Sequence, residues 1–122
     1  MTSRPYEVWL DEERQIVRQR IEGPLSLEQF MDVSAMTGEC AKRLQRPQEA
    51  RLLIEGAGLG RLPRAVRSAT LDTLRQPDLK RVAVVTSHRF ANVMMRFLAV
   101  AVGIAKVRAF RRPEEALEWL LS

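Results

Sequence analysis

Residues 6–10, Tyr-Glu-Val-Trp-Leu, alternate so that Tyr6, Val8 and Leu10 share one side, the pattern of a half-buried strand. A polar turn over 11–14 follows, and a second strand over 15–22 draws its apolar positions from Ile16, Val17 and Ile21. The two together predict an antiparallel hairpin. Gly23-Pro24 breaks the strand, after which Ser26 has the chemistry of a helix N-cap and Gln29 that of its capping-box partner. Leu25 is placed to staple against Phe30. Phe30, Val33, Ser34 and Thr37 make the stripe of this helix, with Leu27, Met31 and Leu44 beside it, and Pro47 requires it to end between 41 and 46.

The second half repeats a strand–helix rhythm. Arg51-Leu52-Leu53-Ile54-Glu55 reads as a buried strand, and the glycine-rich stretch 56–60 leads into a helix over 62–74 with Pro63 in its first turn. Pro77-Asp78 marks a turn. Arg81-Val82-Ala83-Val84-Val85-Thr86 is a strand, 89–102 a helix, 106–110 a strand, and a closing helix starts at Pro113 with Glu114 and Glu115 near its positive end. Strand, helix, strand in that order implies parallel strands joined by right-handed crossovers. The predicted fold is therefore α/β, in the order β-β-α-β-α-β-α-β-α, with helices covering a mixed five-stranded sheet. We expect a single domain over 1–122, residues 1–5 being a flexible N-terminus.

Composition narrows the class. With 46% hydrophobic and 29% charged residues, the chain has the balance of a globular domain. Cys40 is the one cysteine, which points to a reducing cytoplasm, and the first residues contain no apolar signal core. The longest apolar stretch, Phe97 to Ala105, is well short of the ~20 residues that span a bilayer, so no transmembrane segment is predicted.

The net charge of +5 is unevenly spread. Residues 1–41 carry four basic and eight acidic side chains, residues 42–112 sixteen and four, and residues 113–122 three acids. The basic middle attracts polyanions in a general way. It lacks the exposed aromatics or recognition helix that specific nucleic-acid binders add, so specific nucleic-acid binding is not expected.

Three features bear on chemistry. Gly56, Gly58 and Gly60 follow a strand and precede a helix, where backbone N–H groups can hold an anion, with Arg61, Arg64 and Arg67 at three-residue spacing beyond them. The spacing is not the dinucleotide fingerprint, and the same residues serve equally as a tight crossover and a solvated face. His88, the one histidine, follows the fourth strand on the same edge. A general base would need a nucleophile and an orienting group beside it, and a polar helix start is the plain alternative. One His and one Cys cannot make a closed zinc site, and no metal or cofactor is expected.

The third feature is the helix over 89–102. Its stripe, Phe90, Val93, Met94, Phe97, Leu98 and Ala101, is joined by Ala91, Met95, Ala99 and Val100 on other sides. A helix apolar nearly all round is covered on both sides. Met94, Met95, Phe97, Leu98 and Val102 are thus candidates for contact with a protein partner, a second copy or a small apolar ligand, or else for a wide core stripe.

Gly23-Pro24-Leu25-Ser26, Leu52-Leu53-Ile54-Glu55-Gly56, the strand at 79–85 and Val107-Arg108-Ala109-Phe110 with its closing helix together resemble the STAS-domain superfamily, the fold of anti-sigma-factor antagonists. The chain is most similar to its short, stand-alone bacterial branch, which is also compared with CRAL-TRIO lipid-binding domains. The resemblance implies a non-enzymatic binding or regulatory module. It also implies, as an alternative, a carrier or sensor of a lipid-like ligand with peripheral membrane contact. In the antagonists a phosphorylatable serine sits after the third strand. Here that place reads Glu55-Gly56-Ala57-Gly58-Leu59-Gly60-Arg61, without a hydroxyl, and Ser68 and Thr70 lie inside the next predicted helix.

Overall fold

The structure is a computed structural model that describes residues 5–23, 25–56, 64–86, 103 and 106–122. Strand β1 (Tyr6–Asp11) pairs antiparallel with β2 (Ile16–Ile21). Helix α1 (Leu27–Lys42) and a 3-10 turn (Pro47–Glu49) lead to β3 (Ala50–Gly56), which lies parallel to β2. Helix α2 (Arg64–Leu74) leads to β4 (Leu79–Val85), parallel to β3, and β5 (Val107–Phe110) is parallel to β4. Helix α3 (Pro113–Leu121) completes the described order. The strands follow one another across the sheet as β1-β2-β3-β4-β5. The expected hairpin, the mixed five-stranded sheet and the parallel crossover order are all present.

Local chemistry accounts for the element boundaries. Asp11 ends β1 by accepting hydrogen bonds from the Arg14 backbone N–H at 3.1 Å and the Arg14 guanidinium at 3.2 Å. Gln15 closes that turn at φ 55°, donating to the Glu12 carbonyl at 2.7 Å and accepting from the Gln45 N–H at 3.0 Å. The capping box at α1 is complete. Gln29 N–H donates to Ser26 Oγ at 3.1 Å, and Ser26 N–H to the Gln29 side chain at 3.0 Å. Gly23 turns the chain at φ 87°, in the left-handed region where glycine costs least.

Period two divides the sheet into two faces. Val17, Ile21, Leu52, Val82, Val84 and Val107 face the side of α1 and α2, where Val33 and Leu74 join them. Ile16, Leu53 and Ala83 face the other side, packed on Ala116 and Leu120 of α3. Helices α1 and α2 lie on one face because each joins adjacent parallel strands advancing in the same direction, and the right-handed rule then puts them on the same side. Within α1 the stripe is narrower than the sequence pattern implies. Val33 is buried, but Leu27 and Met31, which the spacing places beside the stripe, are exposed.

Helix α3 is fastened at its C-terminal end by Arg81 of β4. One guanidinium nitrogen donates to the carbonyls of Trp119 (2.6 Å) and Ser122 (3.2 Å) and to Ser122 Oγ (2.7 Å), while the group stacks 5.1 Å over the Trp119 ring. A cation there meets the negative end of the helix dipole.

Candidate functional site

Helix α1 packs chiefly over β1 and β2, drawn there by Tyr6, Val8 and Leu10 and by a hydrogen bond from the Tyr6 hydroxyl to Asp32. Among the described residues, that placement leaves the helix face of β2 and β3 incompletely covered. Between α1, α2 and these strands lies a partly open cavity of about 400 Å³. Folded interiors hold few voids larger than a water molecule, so a space this size in so small a fold is a feature rather than a packing residue. Its volume falls in the range of small-molecule pockets.

The floor is Val17, Gln19 and Ile21 of β2 with Leu52 and Ile54 of β3. Phe30, Val33 and Ala41 of α1 and Val66 and Leu74 of α2 wall it with apolar surface. Among the described residues the wall also carries uncharged polar groups, Ser34 and Thr37 on α1 and Thr70 and Thr73 on α2. Arg51 borders the same region, yet its neighbours Ala50 and Leu52 belong to the helix-face core, so strand alternation assigns its side chain to the α3 face. Lys42 and Asp78 stand at the rim, both exposed, and Lys42 pairs with Glu39 at 3.3 Å.

Gln19 is the unusual member. It occupies an inward position of β2, between Val17 and Ile21 and opposite Val8 and Ile54, and only 6% of it is exposed. Its carboxamide nitrogen donates to Thr37 Oγ1 at 2.7 Å, and the Thr37 hydroxyl in turn donates to the Val33 carbonyl at 2.7 Å. That second bond fixes the amide orientation. With its proton committed to Val33, the hydroxyl can only accept, so the NH₂ end of Gln19 faces it and the oxygen turns away.

Of the site residues expected from sequence, Gly56 ends β3, buried and opposite Ile21, and Arg64 opens α2, exposed. Neither is among the described residues lining the cavity. Gly58, Gly60, Arg61 and His88, and the apolar set Met94, Met95, Phe97, Leu98 and Val102, lie outside the described residues. The sequence reading took Thr37 and Ser34 only as part of a helix stripe and passed over Gln19. The available signal was a polar residue at an inward-facing strand position, matched by hydroxyls on the apolar side of the next helix. Among the described residues no three His, Cys, Asp or Glu stand together as a metal site would require, and no helix is long and apolar enough to cross a membrane.

The second face differs in kind. Outside the cover of α3, β1 and β2 present Glu7, Trp9, Arg18 and Arg20. Arg18 donates to Glu55 at 2.8 Å, lies 3.5 Å from Asp11 and stacks 5.5 Å from the Trp9 ring centre, while Arg20 pairs with Glu7 at 3.1 Å and with Glu22. Burial pushes the Asp11 carboxyl upward, but the Arg14 hydrogen bonds and the charges of Arg14 and Arg18 outweigh it and hold the group below its ordinary value. These charges pair with one another, Arg18 Nε alone in the cluster being buried without a hydrogen-bond partner, and nothing in them resembles an open catalytic set.

Comparison with known proteins agrees with the architecture. The family model described as SpoIIAA-like matches residues 16–121. The fold is similar to the crystal structure of an uncharacterized protein from the DUF3478 family with a SpoIIAA-like fold, from Shewanella loihica PV-4. That likeness has a TM-score of 0.70 at 17% identity and covers 98% of each chain. No curated protein matches the sequence.

Proposed function

This chain belongs to the SpoIIAA-like family, and from that premise we propose that it is a cytoplasmic, non-enzymatic binding module that holds a small, largely apolar molecule between α1, α2 and the sheet. The observation that carries the reading is the cavity of about 400 Å³, walled by Val17, Ile21, Leu52, Val33, Val66 and Leu74. Transfer of an apolar ligand out of water is favourable by about 25 cal/mol per Å² of its surface, and a largely preformed pocket loses little of that to reorganisation. The module does not switch through serine phosphorylation after β3, because residues 55–61 contain no hydroxyl. Ligand occupancy is the regulatory variable in this reading. Of the two alternatives raised by the sequence, the carrier or sensor is the one the cavity supports.

Fluorescence of the neutral probe N-phenyl-1-naphthylamine tests this. It should rise on mixing with the wild-type protein and fail to rise with Ala41→Leu, whose added methyl groups enter the cavity. The variant should keep or gain up to about 1 kcal/mol of stability, as cavity-filling changes do. Unchanged probe binding by a folded Ala41→Leu protein removes the cavity from consideration.

A further inference from the structure

The threonines of the cavity wall share one property: their protons are already used. The Thr37 hydroxyl donates to the Val33 carbonyl at 2.7 Å, Thr70 to Val66 at 2.7 Å and Thr73 to Ala69 at 3.0 Å. Each presents lone pairs to the cavity and no proton. Gln19 adds the decisive atom. Its NH₂ is turned to Thr37, and its Oε1 receives no hydrogen bond from the described residues, on a side chain 94% buried in the cavity floor by its 6% exposure. The atom is not sealed from the open space of the cavity, so water can reach it there, and a ligand that displaces that water must supply a donor in its place or leave the carbonyl unpaired at a cost. Ser34, whose hydroxyl rotates freely, is the adaptable member of the set.

The wall is equally specific about charge. Among the described residues its interior offers no cation or anion, Arg51 being assigned to the α3 face, and Lys42 at the rim is exposed and paired with Glu39. A carboxylate or ammonium buried here would lose its hydration without a counter-ion. From these observations, and resting on the cavity reading above, we propose that the ligand is a neutral, mainly apolar molecule carrying a hydroxyl or N–H group, which it donates to Gln19 Oε1. The space fits roughly a dozen water- or methylene-sized groups at about 30 Å³ each, which sets the scale of the apolar part.

Calorimetric titration with three probes of matched length decides it: 1-octanol, 1-methoxyheptane and octanoate at neutral pH. The wild-type protein should bind 1-octanol about tenfold more tightly than the ether, which has the same apolar length but cannot donate, and octanoate most weakly. Gln19→Met, close in volume but without the acceptor, should shrink the alcohol-to-ether preference to about twofold or less. Should that variant not fold, Thr37→Val gives the same readout, because loss of the hydroxyl frees the carboxamide to rotate. Equal binding of alcohol and ether by the wild type, or a preference that survives in the folded variant, overturns the donor contact while leaving the cavity as an apolar site. Octanoate binding best overturns the neutral-ligand assignment. If none of the three probes binds, the cavity reading itself fails.

Discussion

The two faces of the sheet use small residues to opposite ends. Under α3, Ala83 of β4 and Ala116 of the helix are both fully buried, and Leu53 and Leu120 close the contact without exposure. Small side chains there let a helix settle directly on the strands, and Phe110 and Trp119 seal the margin with rings 5.7 Å apart. On the other face Ser34, Ala41, Thr70 and Thr73 are also small, yet the gap between α1 and α2 stays open. Helix α1 is held towards β1 by Tyr6, Val8 and Leu10, so it cannot move across to fill the space over β2 and β3. Small residues shorten a contact only where the partner element is free to approach. Where it is tethered elsewhere, they make room.

The sharpest way to break this contrast is to remove a large side chain from each face. Leu53→Ala, in the closed interface, should destabilise the protein by about 2–5 kcal/mol, the sum of lost transfer energy and a new cavity. Leu74→Ala removes a side chain that is 5% exposed but already borders open space. It forfeits fewer contacts and should cost about 1–2 kcal/mol less. Urea denaturation of both variants measures the difference. Equal losses mean the two faces are equally packed.

Next in size is the fastening of α3. Arg81→Met keeps the apolar stem but loses the bonds to Trp119 and Ser122, and the expected cost is about 1–2 kcal/mol. Arg81→Lys should restore only part of it, since an ammonium does not reproduce the flat stacking on Trp119. Full recovery with lysine would reduce the role of Arg81 to bare charge at the helix end. On the cavity side, Gly38 sits exposed in the middle of α1, with no atom within 4 Å of where a Cβ would stand. Gly38→Ala should therefore raise the thermal midpoint by the equivalent of about 0.5–1 kcal/mol.

The architecture was legible because each element carries a local signal that agrees with the whole. The alternation at Tyr6, Val8 and Leu10, the Ser26–Gln29 box and the β-branched run at 82–85 each dictate one element, and the parallel order follows from their sequence. The cavity was not legible in the same way. It arises from where α1 settles relative to β1, which depends on long-range packing and on the Tyr6–Asp32 bond across 26 residues. Periodicity marks Phe30, Val33 and Thr37 as facing inwards but does not report whether anything meets them. The turn from Pro47 to Glu49 was missed because the pattern there shows only that a helix must stop. Gln19 illustrates the same limit, since a lone polar residue in a strand is read as outward-facing until its neighbours are placed.

The smallest expected effect concerns the charged region of β1 and β2, and it separates electrostatic from apolar construction by its pH dependence. The Asp11 side chain is 10% exposed, hydrogen bonded to Arg14 and 3.5 Å from Arg18. Its folded-state pKa is lowered, so its contribution to stability is complete above the ordinary aspartate value and is lost as pH falls through the folded value. Asp11→Asn should therefore cost less than about 1 kcal/mol at pH 7, because the pair is near the surface and the amide still accepts from the Arg14 N–H. The difference between wild type and variant should stay constant above the ordinary aspartate range and disappear as pH falls through the lowered folded-state value and the carboxylate is protonated. Leu53→Ala, by contrast, should show the same loss across that range, because no proton is linked to it. A pH-independent Asp11→Asn cost would mean that shape and hydrogen bonding alone hold this turn, and that the arginines beside it are incidental to its stability.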